Sequence, residues 1–137
     1  MHHVVSELSR RGSIALPTIR NTAGYDVIAT SRDGKRHANI QVKAAAGRST
    51  FWLIPPSEII PCGPDDYFVF VRWLQNEKRW EGFLAKGNEV RREAKAREAA
   101  IRRKRKTDTV TLRGFHVGDG TARKAKRWAK AWLDWRI

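Results

Sequence analysis

Three polar side chains fall on one face of two segments that the sequence predicts to be neighbouring strands. Asp26 lies in the segment YDVIATS, while Gln41 and Lys43 lie in the segment ANIQVK. A carboxylate, an amide carbonyl and the backbone carbonyl of Val42 are hard oxygen ligands of the kind that Mg²⁺ or Mn²⁺ binds. An ammonium group beside such a cation can orient a water molecule or a phosphate. These are the components that metal-assisted hydrolysis of a phosphodiester requires.

The turn between the two segments decides which residues face each other. Asp33–Gly34 is a favoured two-residue hairpin turn, and a longer turn over residues 32–35 keeps the same pairing. In this register Asp26 lies directly opposite Gln41, and Lys43 is its diagonal neighbour on the same face. The other face is a coherent apolar surface of Tyr25, Val27, Ala29, Ala38, Ile40, Val42 and Ala44. Because a slip by one residue would mix the two faces, the apolar pattern supports this register.

The polar face of the hairpin also carries Ile28 and Asn39, so it has a second interpretation. It is then a solvated surface with one ion pair, which contributes about 0–1 kcal/mol to stability. The sequence leaves both interpretations open.

Net charge is the strongest compositional signal. The 137 residues include 28 Lys and Arg against 14 Asp and Glu, a formal net charge of +14. A small domain needs a net charge of only about 2–8 to stay soluble. The excess therefore indicates a polyanionic partner, most commonly nucleic acid, and a generic basic surface is the alternative.

Length and cysteine content narrow the class of protein further. The length suits a single domain with one real core. The single cysteine, Cys62, excludes an intramolecular disulfide and a multi-cysteine zinc site. No apolar run approaches the ~20 residues of a membrane span, and the first residues lack the apolar region of a signal peptide. We therefore expect a cytoplasmic protein with no membrane partner.

Apolar periodicity predicts the elements that position these side chains. A short helix is expected over residues 3–11, and strands are expected over 14–17, 51–54, 67–73 and 80–84. Residues 57–60 fit one helical turn. The segment 67–73, YFVFVRW, is apolar almost throughout, which is typical of a strand covered on both faces.

The composition changes near Gly87, where a basic helical part begins. Residues 89–106 contain no Gly or Pro and predict a long helix that ends in five basic residues, 102–106. A strand is expected over 109–112, a loop over 114–120, and a final helix from the N-cap Thr121 to Trp135. Trp128, Trp132 and Trp135 share one face of that last helix. We expect them to dock it on the core rather than to stack on bases.

The order of these elements carries a family resemblance. A helix, a strand, YDVI and a hairpin into IQVK resembles the PD-(D/E)xK nuclease superfamily over roughly residues 1–86. The segment is most similar to small members such as archaeal Holliday-junction resolvases and Mrr-type restriction enzymes. The resemblance implies an α/β fold with a restriction-endonuclease-like mixed β-sheet flanked by helices. Residues 87–137 then form a basic helical C-terminal extension packed on the same single domain.

The resemblance also implies a site, a cofactor and partners. Asp26, Gln41 and the Val42 carbonyl are expected to bind Mg²⁺ or Mn²⁺, and Lys43 is expected to act with them in activating water. The implied activity is metal-dependent endonuclease cleavage of nucleic acid, with DNA favoured and RNA left open as the substrate. The resemblance also implies a homodimer. The basic residues expected to grip the phosphate backbone are Arg91, Arg92, Lys95, Arg102, Arg103 and Lys104.

The sequence departs from the family pattern at three places. Gln41 stands where many members have an acid, which removes one negative charge from the site. The family's first-helix glutamate would fall on Met1, and Glu7 lies on a different face of that helix. Between the third and fourth core strands, four prolines at 55, 56, 61 and 64 leave room for little more than a turn in place of a crossover helix.

These departures keep two further functions open. One is a non-catalytic nucleic-acid-binding protein on the same fold. The other is a basic adaptor that docks the run 102–106 on an acidic partner.

Overall fold

A computed structural model describes residues 1–19, 24–110, 113–118 and 122–137, and a mixed five-stranded sheet lies at its centre. The helices are α1 (His2–Arg10), α2 (Gly87–Arg105) and α3 (Ala122–Asp134). The strands are β1 (Ile14–Pro17), β2 (Val27–Thr30), β3 (His37–Ala45), β4 (Phe51–Leu53), β5 (Asp66–Leu74), β6 (Arg79–Lys86) and β7 (Gly114–His116). Two single 3₁₀ turns cover Ser57–Ile59 and Gln75–Glu77.

The main sheet has the order β1-β2-β3-β5-β6, and only β3 and β5 run parallel. The predicted hairpin register is confirmed, since Val27 pairs with Ile40 and Thr30 with His37. The turn is the longer of the two expected ones, because the Ser31 N–H donates to the Arg36 carbonyl at 2.9 Å. The Asp33 carboxylate closes it by accepting bonds from the Ser31 hydroxyl and the Lys35 N–H.

Helices cover both faces of the sheet, as the α/β prediction requires. On one face, Val4 and Leu8 of α1 pack with Val27, Ile40 and Val69. On the other face, α2 packs against strands β5 and β6. Buried residues there include Val90 and Ala94 of α2 with Phe68, Phe70, Phe83 and Ala85. Alternate residues of β5 thus enter different clusters, which explains why its sequence is apolar almost throughout.

Helix α3 packs on β6 and contributes to both clusters. Trp128 belongs to the α2 side and Trp132 to the α1 side, and their side chains are 1% and 3% exposed. Gly82 of β6 makes room for this helix, because a Cβ there would lie 2.5 Å from the Trp132 ring. Trp135 packs against Tyr67 with ring centroids 5.0 Å apart. The prediction that the tryptophans dock α3 on the core is confirmed.

Strands β4 and β7 form a separate two-stranded sheet, which corrects two predictions. Residues 114–116 were expected to be a loop but form β7, which pairs Trp52 with Phe115. Thr109 and Val110 of the expected strand 109–112 lie outside any strand, while residues 111–112 and the expected N-cap Thr121 lie outside the described residues. The cause is tertiary: Phe115 stacks on Phe70 of the main sheet, with ring centroids 4.0 Å apart.

The parallel connection from β3 to β5 contains β4 and one 3₁₀ turn over residues 46–65, as the prolines predict. Helix α2 is tied to this connection by a buried carboxylate. Glu98 is 4% exposed and accepts bonds from the Ser57 N–H (3.1 Å), the Ser57 hydroxyl (2.8 Å) and Arg113 Nε (2.9 Å). These bonds hold together α2, the connection and the segment before β7.

Candidate metal site and basic surface

The carboxylate of Asp26 is fixed against strand β3. Asp26 directly precedes β2, and its N–H donates to the Ile40 carbonyl at 2.8 Å. Its Oδ2 accepts the Val42 N–H at 2.7 Å. The carboxylate therefore lies beside the backbone between Gln41 and Lys43. Asp26 itself stands outside the paired register, which begins with Val27 opposite Ile40.

Two further oxygens belong to the same part of β3: the backbone carbonyl oxygen of Val42 and the side-chain amide oxygen of Gln41. The Val42 carbonyl projects to the same side of the strand as the Val42 N–H, which is the side of Asp26. Gln41 Oε1 is buried and has no hydrogen-bond donor among the described residues. An unsatisfied buried acceptor is uncommon, and a bound cation would satisfy it. The donor set of carboxylate, amide and carbonyl oxygens fits Mg²⁺ or Mn²⁺.

Lys43 lies one residue beyond Val42, on the face that carries Gln41. It is half-buried and stands beside Phe70 of β5 in the parallel ladder. The ion pairs of the described residues do not include one between Asp26 and Lys43, so the solvated ion-pair interpretation of this face gains no support.

A second carboxylate on this face was missed from the sequence. Asp66 begins β5 opposite Asn39 and is 8% exposed. It accepts bonds from the Tyr25 hydroxyl (2.9 Å), Asn39 Nδ2 (3.1 Å) and the Gly63 N–H (2.7 Å). Burial, together with this negatively charged acceptor, raises the pKa of Tyr25. Because its oxygens already accept three bonds, Asp66 anchors the site's edge rather than offering a free ligand.

The sequence contains two signals for the hydrogen bonds around Asp66, but neither is decisive. Asp66 is an acid directly before a strongly predicted buried strand, yet the parallel pairing that brings it to Asn39 cannot be read from local sequence. Tyr25 was expected on the apolar face of the hairpin, whereas its hydroxyl reaches Asp66.

Glu7 does not complete the metal site. Helix α1 covers the opposite face of the sheet, and the Glu7 carboxylate pairs with Arg10 at 2.9 Å and Arg11 at 3.2 Å. The hydrogen bond from Arg10 lowers the pKa of Glu7. Across the described parts of the chain, no three His, Cys, Asp or Glu side chains lie close enough together to hold a metal ion. Any cation at Asp26 would therefore rely on Gln41 and a backbone carbonyl.

The sheet is open beside the candidate metal site. Helix α2 covers β5 and β6, whereas Ile14, Leu16 and Ile28 on β1 and β2 are 50%, 63% and 44% exposed. These side chains share the face of Gln41, since Val27 and Ala29 point to α1. Asp26 and Lys43 thus lie where the covered and the open parts of this face meet.

Helix α2 carries an exposed basic stripe, which we define as Arg92, Lys95 and Arg103. These residues lie away from the side of the helix that carries the buried Val90 and Ala94. Lys104 is also exposed, and Arg102 is exposed with Nε 3.4 Å from the Asp108 carbonyl.

Arg91 differs from the other predicted phosphate-binding residues. Its guanidinium donates to the carbonyls of Ser57 (2.9 Å) and Glu58 (2.6 Å) and to Cys62 Sγ (2.9 Å). It holds α2 against the β3–β5 connection, and we leave it out of the proposed binding surface.

Comparison of the chain with protein-family models, with curated proteins and with solved structures gives no match in any of the three. The fold class therefore rests on the structure alone. In its described residues the chain is an α/β protein with a mixed five-stranded sheet and three helices. Within the described ranges, none of these helices has the length and apolar character that crossing a bilayer needs.

Proposed function

We propose that this chain is a metal-dependent endonuclease of the restriction-endonuclease-like fold that cleaves DNA. One observation carries the proposal: the Asp26 carboxylate accepts the Val42 N–H at 2.7 Å and so lies beside β3 between Gln41 and Lys43. The net charge of +14 supports a nucleic-acid partner. The homodimer that the resemblance implies stays a prediction.

Each residue of the site has a role in this proposal. Asp26 Oδ1, the Gln41 amide oxygen and the Val42 carbonyl would hold Mg²⁺ or Mn²⁺. A bound divalent cation supplies charge stabilisation at the scissile phosphate and an acidified water. Lys43 donates a hydrogen bond from its ammonium group to the attacking water or to a phosphate oxygen.

The second candidate function is nucleic-acid binding without cleavage. Two observations favour it: Gln41 contributes no charge, and Asp26 is the one acid of the proposed donor set, since no three His, Cys, Asp or Glu side chains among the described residues lie close enough together to hold a metal ion. The two candidates share the basic surface and differ in metal dependence.

A cleavage assay separates the two candidates. The full chain is incubated with supercoiled plasmid, linear duplex, a four-way junction or RNA, in Mg²⁺, Mn²⁺ or EDTA. Cutting of DNA that requires a divalent cation supports the nuclease. Tight binding without cutting in either metal would replace it with the non-catalytic protein.

The basic stripe should determine the salt dependence of DNA binding. Each phosphate contact contributes about 0.9 to the slope of log affinity against log salt concentration. Replacing Arg92, Lys95 and Arg103 together with glutamine should therefore reduce the slope by about 3. The measurement is duplex binding by fluorescence anisotropy in EDTA at several salt concentrations.

A matched triple variant controls for the loss of three charges. Arg10, Arg79 and Lys130 are exposed, but each already pairs with a surface carboxylate, of Glu7, Glu77 and Asp134 respectively. Their replacement with glutamine should leave the slope almost unchanged. Equal slopes for the two triple variants would show that the stripe is not the binding surface.

A further inference from the structure

A second site lies between the C-terminal half of α2 and the β4–β7 sheet. The cavity has a volume of about 310 Å³, within the range of about 300–1,000 Å³ that is usual for small-ligand pockets. We call it the α2–β7 pocket. Its apolar lining includes Phe51, Ile101, Val110 and Gly114. None of Asp26, Gln41 and Lys43 lines it, so it is separate from the candidate metal site.

One wall of the α2–β7 pocket is aromatic. Phe51 is half-buried, and its ring lies against the backbone of Gly114, where a Cβ would come within 1.7 Å of the ring. His116 meets the ring edge-on with centroids 4.8 Å apart. Phe51 belongs to neither core cluster and lines the pocket, so its ring supplies an aromatic wall there.

The rim of the pocket is cationic. Arg97, Arg105 and Arg113 line it, together with one acid, Glu98, which is bonded to Arg113. Burial and the nearby Arg97 lower the pKa of His116. The arginines Arg97 and Arg105 supply charge at the mouth of an otherwise apolar cavity.

We propose that the α2–β7 pocket receives one unpaired nucleotide of a bound nucleic acid, with the base against Phe51 and its phosphate at Arg97 and Arg105. An aromatic face beside arginines is the combination that binds single-stranded nucleotides, because every base has a face for stacking and every phosphate a charge. The adjoining residues 102–106, all basic, provide contacts for flanking phosphates. This inference rests on the proposed nucleic-acid partner but not on cleavage.

The test compares two duplexes that differ in one base. One contains a single unpaired adenosine, and the other contains an abasic residue at the same place, so that both carry the same phosphates. Binding to the full chain is measured in EDTA, which keeps the result independent of any nuclease activity. Base stacking should make the adenosine duplex bind between about 5-fold and about 100-fold more tightly.

Three variants locate this preference. Phe51→Leu keeps an apolar wall without a ring and should bring the two affinities close together. Arg105→Gln should reduce the preference, because the phosphate reaches Arg105 only when the base is seated. Arg103→Gln, on the exposed stripe of the same helix end, should weaken both complexes equally. Urea unfolding of each variant verifies that the fold is retained.

Equal affinity of the unmodified chain for the two duplexes would overturn the inference. An equal preference for the adenosine duplex in Arg105→Gln and Arg103→Gln would also overturn it. A free nucleotide offers the same base and phosphate as a nucleotide in a strand. Calorimetric titration with adenosine monophosphate tests whether the pocket binds a free nucleotide. Binding of the mononucleotide that depends on Phe51, without a base preference in the duplexes, would overturn the strand proposal in favour of a free-nucleotide site. A missing metal-dependent cleavage activity would instead contradict the proposed function and leave this inference standing.

Discussion

Replacing Asp26 with asparagine or Lys43 with methionine should reduce metal-dependent DNA cleavage by between about 100-fold and about 10,000-fold. Asparagine keeps an acceptor for the Val42 N–H, which Asp26 Oδ2 accepts at 2.7 Å, but loses the charge that binds the cation. Methionine keeps an unbranched aliphatic chain at the half-buried position of Lys43 and loses the ammonium group. The measurement is the single-turnover cleavage rate on the preferred substrate, with affinity determined in EDTA.

Matched variants nearby separate catalysis from general charge effects. Lys35→Met lies in the turn of the same hairpin, and Asp65→Asn removes a carboxylate that pairs with His37. Both should cleave at close to the original rate. The site assignment fails if Lys43→Met cleaves as fast as Lys35→Met, or if Asp26→Asn loses affinity for DNA in EDTA as well as activity.

Replacing Glu98 with glutamine should lower the free energy of unfolding by about 3 kcal/mol, at the lower end of the cost of breaking a buried ion pair. The loss arises because the Ser57 N–H, the Ser57 hydroxyl and Arg113 all depend on this carboxylate. Arg113 is 21% exposed and can turn partly to water, which limits the cost. Urea unfolding should show a lower midpoint with an unchanged slope.

The control for Glu98 is on the same helix. Glu93 pairs with Lys124 at the surface, and Glu93→Gln should cost less than about 1 kcal/mol. If the two variants are equally stable, the three bonds at Glu98 do not anchor α2.

Low pH should remove the contribution of Glu98 to the free energy of unfolding. Burial by itself raises the pKa of Glu98, but the hydrogen bonds from Ser57 and Arg113 outweigh it and hold the pKa below its ordinary value. A carboxyl whose pKa is lowered by folding stabilises the protein above its unfolded pKa of about 4.3 and loses this effect as the pH falls through the folded value. The stability difference between the unmodified chain and Glu98→Gln should therefore be constant near neutral pH and narrow below about pH 4. A difference that is the same at pH 7 and pH 3 would contradict this account.

Local pattern predicted most of the main sheet. The hairpin register followed from two alternating faces that only one pairing keeps apart, and β5 followed from its continuous apolar run. The stretch without Gly or Pro predicted α2, which extends from Gly87 to Arg105. In each case the information lies within a few residues along the chain.

Nonlocal contacts account for what the sequence did not predict. Strand β7 exists because Phe115 stacks on Phe70 and because Gly114 admits the Phe51 ring, and both partners are distant in sequence. At the candidate site, alternation placed Asp26, Gln41 and Lys43 on one face. The bonds that Asp66 makes were not foreseen, because they depend on the parallel pairing of β3 with β5.

During synthesis, all strands of the main sheet leave the ribosome before α3 does. Until α3 is available, Phe83 on one side of β6 lacks Trp128, and Leu84 on the other side lacks Trp132. A nascent chain at this stage exposes apolar surface on both sides of a sheet edge, and such surface is prone to aggregation. Folding of the main sheet is therefore completed only when α3 packs against both clusters.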